Sequence, residues 1–347
     1  MLKKILIRTP NHLGDCIMAL PMINEVRETH PGSSVTLLVP ENLDELFTVN
    51  PGVDELIQIP TQYVHGLIAV MKIKDLIAGR NFDVGYILPP SFGAAASFKL
   101  GGVKERIGYI ADGRRLLLTR PLALPTPLNA THRSELYFNL LRRGAGCEIE
   151  YVKPKMFLND DDIQGAISLL DGYGFGTNED YVAISFRAVA ESRRWGEDNY
   201  TALVKAIVSR LDLGVVLLGT SDDKKIGDNM AEAASLKKVV NLAGKTSIRE
   251  VAAILSRARC FIGNDSGPAH LAAAVGTPLV VLSGADDPGA TSPMATEKRL
   301  IYMDELDCIS CVKNKCPLKA EQFMQCMQGI SIDMVLNEIE DLLRQSA

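Results

Sequence analysis

The sequence predicts an α/β protein of two doubly wound domains, each a parallel sheet with helices on both faces. Three observations carry this reading. Apolar runs of strand length alternate with runs of helix length, the pattern of repeated βαβ units. The alternation occurs twice, before and after a glycine cluster at Gly172, Gly174 and Gly176. The chain has 347 residues, which suits two ordinary cores better than one.

In order along the chain, residues 4–8 read as a strand and residues 15–29 as a helix. Residues 34–39 form the next strand, residues 43–49 a helix, and residues 82–88 a buried strand. The theme returns with a strand at 181–185, a helix at 200–211 and a strand at 215–218. A short strand at 238–241 and a helix at 248–256 follow. The boundary is expected between residues 160 and 179, where the acidic run Asp160, Asp161, Asp162 reads as a linker or helix cap. The GYGFG cluster precedes a strand instead of joining strand to helix, so it reads as a flexible linker and not as a dinucleotide loop. Residues 333–345 form a last amphipathic helix.

Residues 261–284, FIGNDSGPAHLAAAVGTPLVVLSG, are the most telling stretch. They read as strand, tight turn, helix and strand. Asn264, Asp265, Ser266 and Gly267 are turn and capping residues, and Pro268 sits where a first helical residue needs no N–H. Such a helix start directs free N–H groups and a positive dipole end outward, a ready anion site. His12, Leu13, Gly14 and Asp15 follow directly on the first strand. Ligands of doubly wound sheets bind at the carboxyl ends of strands, so Asp15 is expected to face a cleft. On these residues alone Asp15 reads first as a helix cap.

Composition narrows the function. With 47% hydrophobic and 23% charged residues the chain is ordinary globular protein, and its net charge of -5 argues against general nucleic-acid binding. No apolar run approaches the roughly 20 residues that cross a bilayer, and the run after the two N-terminal lysines is too short for a signal peptide. The expectation is a cytosolic protein with reduced cysteines. Of its seven cysteines, four cluster as Cys308-x2-Cys311-x4-Cys316-x9-Cys326, a spacing that accommodates a structural zinc as well as packed thiols.

The segment NDSGPAHLAAAVGTP resembles the donor-site signature of glycosyltransferase family 9, the lipopolysaccharide heptosyltransferases. ILIRTPNHLGDCIMALPMINEVRETHPGSSVTLLV resembles that family's first strand, LGD loop, helix and second strand. ILPPSFGAAASFKLGGVKERIGY, the RRW at 193–195 and NLAGKTSIREVAAIL match in the same order, so the likeness spans nearly the whole chain. It implies a GT-B fold of two Rossmann-like domains facing each other across a cleft. Residues 1–170 would be the acceptor domain carrying the base, residues 171–330 the donor domain, and residues 331–347 a helix packed back on the first.

The implied reaction is inverting, metal-independent transfer of heptose from ADP-L-glycero-β-D-manno-heptose to the inner core of lipopolysaccharide. The stretch LPPSFGAAASFKLGG favours heptosyl-Kdo-lipid A as acceptor over Kdo-lipid A. Asp15 would be the catalytic base. Donor contacts carried over are Arg193 and Arg194, with Arg187 beside them, to the diphosphate; Ser266 and Gly267 through their N–H groups; and Asp265 to sugar hydroxyls. Leu242 to Thr246 would lie by the adenine and Asp222 or Asp223 by the ribose, with the role of His270 open. The family's glycine after the strand is replaced by Phe186-Arg187, which leaves the loop's shape open. No DxD motif lies in a donor-site loop.

Acceptor contacts are expected from His12, Gly14 and Ser91. Six basic residues at Lys99, Lys104, Arg106, Arg114, Arg115 and Arg120 face only Glu105 and Asp112 in the same stretch, a local charge of +4 that suits acidic sugars and lipid phosphates or a plain surface loop. Partners would be the nucleotide sugar, the lipid acceptor and, peripherally, the cytoplasmic face of the inner membrane. The alternatives are a family 9 transferase with another nucleotide sugar or acceptor, or a non-catalytic nucleotide-sugar binder.

Overall fold

A computed structural model describes residues 2–176, 179–234 and 238–345, which fall into two compact units, Met1–Phe157 and Leu158–Ala347. In the first unit, β1 (Lys4–Arg8), β2 (Ser34–Pro40), β3 (Glu55–Ile59), β4 (Val84–Ile87), β5 (Glu105–Tyr109) and β6 (Arg120–Leu122) form one sheet in the order β3-β2-β1-β4-β5-β6. Every pairing is parallel. Central strands of such sheets are covered on both faces, which is why Ile5, Leu6 and Ile7 are consecutive apolar residues and all buried.

The second unit repeats the plan. Its strands are β7 (Tyr181–Ser185), β8 (Gly214–Leu218), β9 (Val239–Asn241), β10 (Cys260–Asn264), β11 (Leu279–Ser283) and β12 (Lys298–Tyr302). Their order is β12-β11-β10-β7-β8-β9, again wholly parallel. In each unit the order reverses beside the first strand. The loops after β1 and β4, and those after β7 and β10, therefore leave in opposite directions and open a crevice at the strands' carboxyl ends.

Several expectations change for physical reasons. The helix predicted over 15–29 is three short pieces, Leu13–Met18, Leu20–Asn24 and Val26–Thr29. Pro21 has no N–H to give to the carbonyl four residues before it, so the ladder breaks there. The helix expected at 43–49 is one 3₁₀ turn, Asp44–Leu46, because Pro51 disfavours helical backbone at Asn50 and stops extension.

The boundary falls after Phe157 instead of at 170. The helix Asp160–Asp171 opens with a capping box between Asn159 and Asp162, and Arg249 ion-pairs with Asp162 to dock it on the helix Ile248–Arg257. The acidic run is thus a helix start in the second unit. Within the glycine cluster, Phe175 is buried edge-on against Tyr181 with ring centroids 6.0 Å apart, so this segment is packed turn and not free linker.

The last helix, Ile332–Gln345, also departs from expectation. Its Val335, Leu336, Ile339 and Leu342 lie in the second unit's core with Trp195, Tyr200 and Ile301, so its apolar stripe is buried in that unit and not in the N-terminal one. Trp195 Nε1–H donates to the Ile330 carbonyl at 2.9 Å, which fixes the start of this helix against the loop after β7.

Candidate functional site

The second unit's crevice is built on the loop after β7. Trp195 is buried, and its backbone N–H donates to Asn264 Oδ1 at 3.2 Å, which ties this loop to the end of β10. Arg194, expected on the diphosphate, donates from Nε to the Ala188 carbonyl at 2.8 Å and from Nη2 to the Val189 carbonyl at 3.2 Å. It braces the loop that follows Phe186-Arg187. Arg187 lies 3.0 Å from Glu197 and 3.3 Å from Asp223, joining the loops after β7 and β8. Phe186, Arg187, Arg194, Gly196, Glu197 and Asp198 line an open cavity of about 380 Å³.

Arg193 points elsewhere. Its Nη2 is 2.5 Å from Asp286 Oδ1, while a third of the side chain stays exposed (33%). Beside it stands the turn expected from the sequence. Ser266 caps the helix Gly267–Ala274, and Pro268 is in its first turn. The Ser266 hydroxyl donates to the Asn264 carbonyl at 3.1 Å instead of capping a helix N–H. Ala269 N and His270 N donate to the Ser266 carbonyl at 3.1 and 3.3 Å, so of this first turn it is the Gly267 N–H that lacks an intrahelical partner. His270 is buried one turn on, its Nε2 3.9 Å from Asp265 Oδ1.

Asp265 and Asp286 are buried close together. Burial and the Asp286 charge push the Asp265 carboxyl up to about 7, with Arg193 and Lys298 opposing. Burial pushes Asp286 up to about 6, offset in part by Arg193. Asp265 Oδ2, Asp286 Oδ2, Ser283 Oγ and Asn264 Nδ2 are buried with no hydrogen-bond partner among the described residues. Unpaired buried polar atoms are costly, so this grouping at the ends of β10 and β11 fits a polyhydroxyl ligand whose O–H groups complete it.

The base-side loops also converge. Gly244 N donates to the Gly219 carbonyl at 2.9 Å, bringing Leu242 to Thr246 beside Asp222. Gly244 has φ +71 and a Cβ there would lie 2.6 Å from Ser221 Cα, so only glycine permits this approach. Asp222 is exposed, whereas Asp223 is buried and caps Thr220.

In the first unit, Asp15 lies in the opening turn of Leu13–Met18, with His12 as the exposed cap residue and Gly14 alongside. His12 makes no side-chain cap bond, and Ser91 caps Phe92–Leu100 at the end of the adjoining β4, accepting from Ala94 N at 3.3 Å. Three residues here were not anticipated. The Tyr137 hydroxyl donates to Asp15 Oδ1 at 3.4 Å from 122 residues away, and Arg133 Nη1 is 3.7 Å from the same oxygen. Burial pushes the Tyr137 hydroxyl well above its usual range, so it stays a donor. Arg8, buried at the end of β1, donates to Thr9 O and Asn11 Oδ1, both at 2.5 Å, and sets the loop's path. An Arg closing an otherwise apolar central strand was the available signal for Arg8; no spacing rule links Arg133 or Tyr137 to Asp15.

The six basic residues are not gathered into one field. Arg114 is fully buried and donates to the Tyr109, Pro89 and Ile87 carbonyls. Arg106 is bound to the Leu117 and Val103 carbonyls, both at 2.7 Å. Lys104 pairs with Asp83 before β4, and Arg120 with Glu105 at the start of β5, at the opposite end of the sheet from Asp15. Lys99 is exposed near the far end of its helix, while Arg115 is exposed in the turn Arg114–Leu117. Backbone carbonyls and carboxylates compete for cations, and here they win four of the six.

The four clustered cysteines are free. They share one neighbourhood: burial and then the Cys308, Cys311 and Cys316 thiols push Cys326 up to about 11. Among the described residues no three His, Cys, Asp or Glu side chains are drawn together as a metal cage.

Two six-stranded parallel α/β units of this topology match the GT-B fold of solved heptosyltransferases. Residues 70–321 match glycosyltransferase family 9 (heptosyltransferase), and the chain belongs to that family. It is an enzyme of the heptosyltransferase kind. It is 25% identical to lipopolysaccharide heptosyltransferase 2 of Escherichia coli K12, over 99% of both chains. The solved ADP-heptose lps heptosyltransferase II of E. coli superposes with a TM-score of 0.80 at 22% identity, over 99% of each chain. A family 9 glycosyl transferase from Veillonella parvula gives 0.85 at 21% identity, over 99% of this chain and 97% of that one.

The acid pair makes a stability prediction. Raised carboxyl values mean that the folded state holds protons the unfolded chain has lost. The pair's contribution is fully present below pH 3.8 and is lost as pH rises through about 6 and 7. Denaturant midpoints of the second unit should fall over that window, and Asp265→Asn should flatten the fall. A wild-type midpoint independent of pH would mean both carboxyls are ionised throughout.

Proposed function

We propose that this enzyme transfers heptose from ADP-L-glycero-β-D-manno-heptose to the inner core of lipopolysaccharide, with inversion, and that heptosyl-Kdo-lipid A is the acceptor. The observation that carries the chemistry is Asp15 at the first unit's switch point, with Tyr137 and Arg133 on one oxygen. That pair orients the carboxylate and leaves its other oxygen for the acceptor hydroxyl. Asp15 takes the hydroxyl proton as the oxygen attacks the anomeric carbon. The bond from that carbon to the β-phosphate oxygen breaks, and ADP leaves. Arg193 and the N-terminal turn of Gly267–Ala274 receive the charge that develops on the diphosphate. Asp265 meets sugar hydroxyls, and the Leu242–Thr246 backbone meets the base.

The test is to follow ADP release and product mass with Kdo-lipid A and with heptosyl-Kdo-lipid A. Transfer to the heptosylated acceptor alone is expected; transfer to Kdo-lipid A would move the enzyme one step earlier. Asp15→Asn should lower kcat by about 10² to 10⁴ with donor affinity nearly unchanged. A mutant that retains turnover would leave Asp15 as a helix cap only.

In this reading no metal or other cofactor takes part in transfer, and the four cysteines are reduced, packed thiols. Protein dialysed against chelator should keep full activity. Zinc found at about one per chain, and lost with stability when Cys311 is replaced by serine, would instead establish a structural site.

The reading also places the enzyme at a membrane surface. Leu67 (89%), Ile68 and Met71 are exposed on the helix Leu67–Ile77, Phe92 at the start of Phe92–Leu100, and Leu116 (87%) in the turn Arg114–Leu117. Val70 touches Gly93, and Phe92 N donates to Asp112, which brings these segments together near the exposed cations Lys72 and Arg115. Exposed apolar side chains among cations fit an anionic lipid interface. The protein should co-sediment with phosphatidylglycerol vesicles, and Leu67→Glu with Leu116→Glu should weaken this at least tenfold. Equal recovery of both proteins would remove this surface.

A further inference from the structure

Asp286 has no part in the reaction as described, yet its segment is pinned from both sides. It lies just beyond β11, with its side chain almost wholly buried (5%). The loop 302–312 pins its backbone. Ser310 N donates to the Gly284 carbonyl at 3.1 Å, Val312 N to the Ala285 carbonyl at 2.7 Å, and Ser310 Oγ to the Asp286 carbonyl at 2.9 Å. Ser310 Oγ is held in turn by the Tyr302 hydroxyl at 2.5 Å. On the other side Asp287 caps the turn Pro288–Thr291 by accepting from Gly289 N at 3.0 Å.

The same stretch of chain also fixes the residue before Arg193. Ser192 N donates to the Asn314 carbonyl at 3.1 Å, and its hydroxyl donates to the Lys313 carbonyl. Residues 310–314 thus bracket both members of the Arg193–Asp286 pair. A guanidinium has several donors in one plane, so one edge can hold a carboxylate while another holds a phosphate. Nη2 of Arg193 faces Asp286, and a third of the side chain is open (33%).

We propose that Asp286 is a positioning residue for donor binding: from its pinned segment it grips one edge of Arg193 and presents the other edge to the diphosphate of a nucleotide sugar. This rests on the reading of Arg193 as a diphosphate contact. The opposite role is also physically defined. A carboxylate 2.5 Å from the cation could merely neutralise it, and its removal would then strengthen anion binding. Other charges facing Asp286 are the Asp265 carboxyl, which repels it, and Lys298, which acts on Asp265.

Calorimetry with ADP and with adenosine separates these roles. For Asp286→Asn the ADP Kd should rise about tenfold while adenosine binding stays at the wild-type value. Arg193→Ala should lose at least as much. The double variant should be no worse than Arg193→Ala alone, because the two residues act as one unit. ADP binding to Asp286→Asn as tight as wild type, or tighter, overturns the proposal, as do additive losses.

Asp286→Glu is the control for folding. It keeps the charge but moves the carboxylate, so ADP affinity should fall while adenosine affinity holds; an unchanged ADP Kd overturns the proposal even if the Asn variant misfolds. An Arg193→Ala variant that binds ADP normally would refute the diphosphate reading itself and remove the proposal with it, as would a wild-type protein that binds adenosine and ADP equally.

Discussion

A parallel strand connection must be right-handed, and a sheet that grows outward on both sides of one strand has to send its helices to opposite faces. This constraint governs both units. In the first it parts the loops after β1 and β4; in the second it parts those after β7 and β10. Polar backbone ends that would be costly inside a layer come together there at the surface. Asp15 and Ser91 share one crevice, and Arg193, Asp265 and the Gly267–Ala274 N-terminus share the other. Site residues that are far apart in sequence become neighbours because the topology leaves few other places for them.

The second crevice holds more unsatisfied polarity than stability alone explains. Asn264 Nδ2, Ser283 Oγ and one oxygen each of Asp265 and Asp286 are buried without partners. Burial raises the proton affinity of both acids, and the Asp286 charge adds to it at Asp265. Such a grouping weakens the empty protein and favours whatever supplies donors and a compensating arrangement of charge. A sugar diphosphate does both: hydroxyls for the carboxylates, and an anion for Arg193 and the helix N-terminus.

Arginine serves two ends here, and its neighbours decide which. Arg8, Arg106, Arg114 and Arg194 donate to backbone carbonyls of loops that would otherwise lack partners. They are structural braces, with Arg106 at the end of its sheet away from the crevice. Arg193 and Arg133 are held by carboxylates and keep an exposed face. A charge count along the sequence treats all of them alike, which is why the +4 stretch at 99–120 does not form a continuous basic surface.

The sequence by itself determined most of the strands, though not β3, β5, β6 or β12, together with the two-domain plan and the two motif loops. Strands 4–8 and 181–185 fall where their apolar runs end, because a central parallel strand must be apolar on both faces. Asp15, Asp265, Ser266 and Gly267 were legible because a strand, a turn of capping residues and a helix follow within a few positions. Tertiary structure alone decided the pairings across distance. Tyr137 and Arg133 reach Asp15, Asp286 grips Arg193, and the last helix joins the second core. Local propensity carries no information on which distant side chain arrives beside another. That is set by packing of whole layers, and with it went the roles of the basic residues and of the loop that holds Asp286.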